Sequence, residues 1–526
     1  MRQILRADYD QIHLLPPSVE DWVGADHPAR FVREFVEALD LRAMGLDTLK
    51  RDEGGTSYEP ALLLSVWLYG YLRRVRSTRA LERACREEMG FVWLSGNHRP
   101  DHNALWRFWN RHREGIRALF TQSVKVAVEL KLVGLVVQAL DGTKIMAACS
   151  GRGGFDQAHL EKLLARLDQQ LNACEADIAR TGEDIASGLP AELQRTQKLR
   201  TAVQDALQRV REGSAKHVHP QDRQAARMGC DGRNRFAYNA QAMVDTQAQV
   251  IVAEDVSADP VDHGLLNPML QRADAVRAAA GVSATPATLA DGGYAGGAQL
   301  QRASAAGHDV LTPMPSASSP KRDHPYHAMH FHYDAQRKVV TCPTGRELPL
   351  QRMRQRRGQP VEVYRSAKTC EGCAVRAQCT RDRHGRTIDI GPGHAQLVAL
   401  RERWQYEGTK EYYGLRAPTV EPVFAQVKQQ MGFRRWTLRG LAKTKVQWSM
   451  ICTAWNLQVI YRQWRQDRGN GGAMTPAGGP DPRPHAPSAR LRGAKGSAAM
   501  PRIAAWIYSL IQTMPRAFSL RVVAVS

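Results

Sequence analysis

"GLVVQALDGTKI", residues 134–145, is the stretch on which the reading of the fold turns. Its apolar run has the length and the β-branched content of a buried strand, and it ends in Asp141 and Gly142. A second stretch has the same form: "ATPATLADGGYAGG", residues 284–297, is a short strand ending at Asp291 and a glycine-rich turn. Between them, "RFAYNAQAMVDTQAQVIVAEDVSAD" (235–259) predicts two strands around a polar turn at Asp245–Gln249. A helix at "AQLQRASAAG" and a short strand at "HDVLTPM" follow the second aspartate. Strand and helix alternate, so an α/β layer fold is expected, with both acids at the strand edge where sites gather.

A third acid stands far downstream in "YGLRAPTVEPVFAQVK", residues 413–428. Glu421 and Lys428 are seven apart, close to two helical turns, so they project from one face, while Val420, Val423, Phe424 and Val427 can pack inward. Tyr413 and Arg416 precede Pro418, as suits the approach to a helix or its first turn. Taken alone, this is an amphipathic helix with a solvated acid and base. Three carboxylates brought together from two strands and a helix form a hard oxygen site suited to Mg²⁺.

The rest of the chain falls into recognisable pieces. Residues 1–130 read as a helical domain. "YEPALLLSVWLYGYLRRVRSTRALERACREEMG" (58–90) places a proline near a helix start and then gathers Arg73, Arg74, Arg76 and Arg79; Asp101 suits the cap of a helix over "NALWRFWNRHREGIRALF". Arginine-lined helices joined by a turn suit helix-turn-helix DNA binding, against the plainer reading of a basic bundle. Residues 131–155 and 213–315 form the first part of the α/β core. Within 156–212, Leu160, Leu164, Leu167, Leu171, Cys174 and Ile178 repeat as a heptad seam, resumed by Leu199, Val203, Ala206 and Val210, which predicts an inserted antiparallel helical hairpin.

Residues 316–395 form a second insertion, rich in Arg, Lys, Pro and Cys. "TCPTG" and "TCEGCAVRAQCT" carry Cys342, Cys370, Cys373 and Cys379; Cys-x2-Cys suits a zinc knuckle that the other two can complete, and free thiols are the alternative. Residues 396–466 read as the helical end of the core. There Arg434, Arg435, Arg439 and Lys443 lie beside Trp436 and suit phosphate contacts, with the tryptophan either stacked on a displaced base or buried. From 467 to 526 the composition turns to Gly, Pro, Ala and Arg, which predicts a disordered tail.

The chain of 526 residues carries a formal net charge of +21, which favours a polyanionic partner and makes nucleic acid the default. No apolar run reaches the roughly 20 residues that span a bilayer, and no segment reads as a signal peptide. Nine cysteines do not suggest a disulfide scaffold, so a reducing cytoplasm is expected.

The three acidic stretches together resemble the signatures of the DDE transposases of bacterial insertion sequences. The likeness is closest to the subgroup with a tyrosine–arginine–glutamate–lysine motif, and "YEPALLLSVWLYGYLRRVRSTRALERACRE…WLSGNHRPDHNALWRF" resembles the N-terminal domain of that group. "AYNAQAMVD" is similar to the strand before the second aspartate. The resemblance implies an RNase H-like catalytic core with Asp141, Asp291 and Glu421 holding Mg²⁺ or Mn²⁺. It makes Tyr413, Arg416 and Lys428 the accompanying motif, the last two at phosphates near the scissile bond. Four residues separate Arg416 from Glu421 where the motif has three, which rotates the arginine by about 100° on a helix and favours Lys428 over it. Implied partners are double-stranded DNA, as terminal inverted repeats and target, and a second copy of the chain on that DNA. The implied setting is the bacterial cytoplasm, at the nucleoid. A structure-selective nuclease on the same fold and a DNA-binding relic of a transposase are the rival readings.

Overall fold

The computed structural model describes residues 18–46, 58–150, 155–181, 191–213, 216–314, 324–356 and 358–469. The chain divides into two compact units, residues 133–445 and residues 1–132 together with 446–526. The expected disordered tail lies outside the described residues apart from its first three: the helix Leu441–Gly469 continues past 466.

The N-terminal unit is helical. Glu59 precedes a helix whose first residue is Pro60, where the missing N–H costs nothing, and this helix, Pro60–Leu72, is buried on almost every side. Ser77 caps the helix Thr78–Glu87 by accepting the Ala80 N–H, and Asp101 caps the helix His102–Arg111 by accepting that of Ala104 at 2.7 Å, as the sequence predicts. The single helix expected from 103 onward is broken at His112, whose ring nitrogen meets the Gly45 carbonyl at 3.0 Å; a second helix then runs Arg113–Glu129. Residues from Val446 onward pack in this unit. Asn456 donates to Ser123 Oγ at 3.1 Å, and Tyr461 and Trp464 lie against Phe31.

The second unit is built on a six-stranded sheet: β1 (Val137–Met146), β2 (Ala226–Cys230), β3 (Arg233–Asp245), β4 (Ile251–Ser257), β5 (Ala287–Ala290) and β6 (Val310–Leu311). β3 runs antiparallel to β1, β2 and β4, whereas β5 runs parallel to β1 and β6 parallel to β5. The predicted polar turn therefore joins β3 and β4, with Gln249 at φ 58°. A helix over Leu266–Ala279, unpredicted, packs on β4 and β3. The helices Gln157–Thr181 and Ala191–Arg211 form the predicted hairpin. Its two helices run antiparallel, since Arg200 pairs with Asp168 and Arg211 with Glu161. Leu160, Leu167, Val203 and Ala206 fill its seam as expected, but Leu199 is 39% exposed and Cys174 faces out. Leu199 lies off the buried stripe of its helix, which runs through Leu193, Val203, Ala206 and Leu207.

The cysteine-bearing segment is a small antiparallel sheet. Its strands β7 (His332–Asp334), β8 (Val339–Thr341), β9 (Glu347–Arg356), β10 (Gln359–Tyr364) and β11 (Ile388–Ile390) lie side by side in chain order. Phe331, Val340, Leu348, Tyr364, Ile388 and Ile390 form its core, with Cys342, Cys370 and Cys379 packed against them.

Candidate active site

Asp141 lies in the middle of β1, not at its end: the strand runs on to Met146 along β3. What ends at Asp141 is the parallel pairing with β5, whose last pair is Leu140 with Ala290. Asp141 and Asp291 are therefore the next residues, side by side, where two neighbouring parallel strands part. Asp141 Oδ1 accepts the Gly142 N–H at 2.8 Å, and Asp291 Oδ1 accepts the Gly293 N–H at 2.6 Å.

Glu421 stands on the helix Arg416–Gln429, which buries Val420, Val423 and Val427 against β1 and β3. Pro422 has no N–H for the Pro418 carbonyl one turn back, and the Gln249 amide donates to that oxygen at 2.9 Å instead. Arg416, the first helical residue, joins the acids: it reaches Asp141 Oδ2 at 3.0 Å and Glu421 Oε1 at 3.5 Å. Burial pushes the Asp141 carboxyl up, against the Gly142 N–H and the Arg416 charge. Burial opposes the charge of Arg416, but Asp141, Tyr413 and Asp291 together outweigh it and raise the guanidinium above its ordinary range. The Tyr413 hydroxyl donates to the Ala290 carbonyl at 3.3 Å, next to Asp291.

The one-residue excess in spacing does not keep Arg416 from the acids. Starting the helix at Arg416 leaves its long side chain free to swing to the carboxylates, whereas Lys428 pairs with Asp231 Oδ1 at 3.5 Å. Glu421 itself is 61% exposed on its side chain and meets Asp141 only through the guanidinium. Among the described residues, no set of three or more His, Cys, Asp or Glu side chains is gathered closely enough to hold a metal ion as it stands. The donors nonetheless suit a hard cation: the set is all oxygen, and a positive group already bridges two of its members.

Sequence reading missed a polar cluster on the opposite face of β1. Asp262 receives Lys144 Nζ at 3.2 Å, Asn239 Nδ2 at 2.7 Å and Gln241 Nε2 at 2.9 Å, and the buried Tyr294 hydroxyl donates to Gln241. A β-carbon at Gly142 would come within 2.1 Å of the Gln241 amide and 3.1 Å of Asp262, so any larger residue there must displace these side chains. Its sequence signal was the spacing of Lys144 three residues after Asp141 and of Asn239 two before Gln241, both in stretches already singled out.

Of the expected DNA contacts, Arg73, Arg74 and Arg79 are exposed, but Arg76 is half-buried with its guanidinium over the Tyr71 ring at 5.9 Å. Arg434 lies 4.0 Å from Asp231. Arg435 and Arg439 spend donors on carbonyls of Ala147, Cys149 and Ala148, tying their segment to the end of β1, and Lys443 is half-buried. Trp436 is 2% exposed and packs edge-on to Phe433 and Tyr238, so it is a core residue and not a stacking platform.

Cys342, Cys370, Cys373 and Cys379 line one cavity of about 30 Å³, and none is in a disulfide. The Arg346 N–H approaches Cys342 Sγ at 3.3 Å and the Arg386 N–H approaches Cys370 Sγ at 3.5 Å. Gly372, at φ 62°, makes the turn between Cys370 and Cys373. Burial pushes the Cys379 thiol up, Arg386 opposes this, and the other three thiols add to it.

Two family models match the chain: that of the Transposase domain (DUF772) over residues 17–111 and that of the Transposase DDE domain over residues 341–461. No curated protein and no solved structure matches it. Among the described residues no helix is long and apolar enough to cross a membrane. One match spans the capped, arginine-bearing helices and the other runs from the cysteine sheet through Glu421. Both matches are to transposase domains, and together they support a DDE transposase, an enzyme that acts on DNA.

Proposed function

We propose that this transposase cleaves DNA strands at the ends of its element and transfers them into target DNA at the strand edge bearing Asp141 and Asp291. The observation that carries the reading is their register: the two acids are adjacent on neighbouring parallel strands, and Glu421 is tied to the first through Arg416. The order β4–β3–β1–β5–β6, antiparallel on one side of β1 and parallel on the other, supports an RNase H-like core into which the hairpin and the cysteine sheet are inserted.

Asp141, Asp291 and Glu421 would hold Mg²⁺ or Mn²⁺, which supplies activation of a water or a 3′-hydroxyl and offsets phosphate charge when bound. Tyr413 steadies the backbone at Ala290 and so fixes the level of Asp291. Arg416 is placed to pass from the carboxylates to the phosphate beside the scissile bond, and Lys428, with Arg434, would meet flanking phosphates from the Asp231 side. Arg73, Arg74 and Arg79 would contact DNA from the N-terminal unit. The four cysteines, gathered on one cavity with N–H groups aimed at two sulfurs, would hold a structural Zn²⁺. Pairing of two terminal inverted repeats calls for a homodimer on DNA, by analogy with other transposases, acting at the bacterial nucleoid.

The test is joining of labelled element-end DNA to a plasmid in Mg²⁺, comparing the wild type with Glu421→Gln. Joined product lost in the variant, with DNA binding retained, is expected. Nicking without joining would transfer the assignment to a nuclease, and equal joining by both proteins would remove Glu421 from the site.

A further inference from the structure

We propose that the β9–β10 ribbon of the cysteine sheet is a sequence-independent contact for the backbone of double-stranded DNA, made through Arg352, Arg354 and Arg356. The ribbon pairs Arg352 with Val363, Arg354 with Val361 and Arg356 with Gln359. Alternate residues share a face, so the three guanidiniums form one row, spaced about 6.8 Å apart along the strand. β11 reaches only the base of this hairpin, at Glu362–Tyr364, and β8 pairs only with Glu347–Pro349. Beyond those points the two strands pair only with each other among the described residues, with Val361 of β10 buried beside the exposed β9 arginines.

Such a projection should be unfavourable unless something covers it, because an isolated two-stranded ribbon is marginal in water. Gln351 to Arg356 are exposed on both faces, and Met353 is 56% exposed on the face opposite the arginines. The arginine row faces a single acid, Asp389, which pairs with Arg354 and lies 3.4 Å from Arg356. Arg352 has no ion-pair partner among the described residues. Three guanidiniums against one carboxylate leave a positive row whose complement is a polyanion. The major groove of B-DNA, about 12 Å wide, admits a two-stranded ribbon. The anchoring is firm at the other end, where Leu348 and Tyr364 enter the core that the cysteines flank.

The row differs from the arginines at 435 and 439, whose donors are committed to carbonyls. It also stands apart from the acidic site, so its test needs no catalysis. Binding of a random duplex and an element-end duplex would be measured by fluorescence anisotropy from low to moderate salt, without divalent metal, on the Glu421→Gln background. Arg352→Ala with Arg356→Ala is expected to weaken both duplexes alike and to make the plot of log affinity against log salt shallower by about 1.8, two contacts at roughly 0.9 each. Arg337→Ala, an exposed arginine paired with Glu347 at the far end of the same strand, is the charge control and should leave the slope unchanged. An unchanged slope in the double variant, or an equal drop in the control, overturns the proposal. Aggregation of the double variant with an unchanged slope would show instead that the arginines guard an open strand edge.

Discussion

Asp222 is 3% exposed; one of its oxygens accepts the Tyr238 hydroxyl at 2.6 Å and the Gly440 N–H at 3.2 Å, and the other has no hydrogen-bond partner among the described residues. Burial pushes this carboxyl up, against those two donors and Arg439. The folded chain thus holds the proton more tightly than the unfolded one. The stability this contributes is complete below the ordinary Asp value of 3.8 and is lost as pH rises through the higher folded value. Thermal melts of the wild type and Asp222→Asn across pH 3 to 7, roughly spanning that window, should show the wild type losing ground to the variant as pH rises. A constant difference would mean that Asp222 is not buried as described. At the same scale, Asp141, Asp291 and Glu421 stand out in the sequence because an acid ending an apolar run before glycine, or set on the polar face of a helix, is a local pattern; the β1–β5 register then places the first two side by side. Arg416 reaches Asp141 and Glu421 despite its spacing, because spacing along an ideal helix ignores where the helix begins and how far a guanidinium reaches. Arg76 lies over the Tyr71 ring and Arg435 donates to carbonyls, contacts that charge in a sequence does not show.

Elements were predicted best where one periodic signal dominated. β3 and β4, the capped helix His102–Arg111 and the helix carrying Glu421 fall where alternation, Asp101 and the buried valines place them. β1 was read short, because a polar Asp141 looks like an end although β3 continues to pair beside it. The segment after Lys428 was open between base stacking and packing, and packing won: the Trp436 backbone N–H donates to the Met146 carbonyl at 2.8 Å and Arg435 bridges to Met146, lengthening the sheet at the end of β1. Trp436→Ala should therefore cost about 3–5 kcal/mol of stability in urea unfolding, the usual range for a buried aromatic. Unchanged stability with weakened DNA binding would return the residue to the DNA surface.

For the whole molecule, the net charge of +21 pointed to a polyanion, and the transposase family supplies DNA as that partner. The small sheet's core cluster is small, six residues among those described, and a metal would add to its stability. Purified protein should contain about one zinc per chain. Chelation should release four reactive thiols and lower the melting temperature of the wild type but not of a variant with all four cysteines changed to Ser. A metal-free protein with unaltered stability would leave the cysteines as packed thiols.

Sequence alone determined the inventory: the acids, the cysteines, the basic surplus, most helices and the larger sheet's strands other than β2, because local periodicity and capping act within a few residues. Tertiary structure decided their use. It set Asp141 level with Asp291 through the β1–β5 register, across 150 residues of chain, and it sent Arg416 rather than Lys428 to the carboxylates. It also gathered Asp262, Lys144, Asn239 and Gln241 behind Gly142. Those choices depend on distances between residues remote in sequence, which no local pattern encodes.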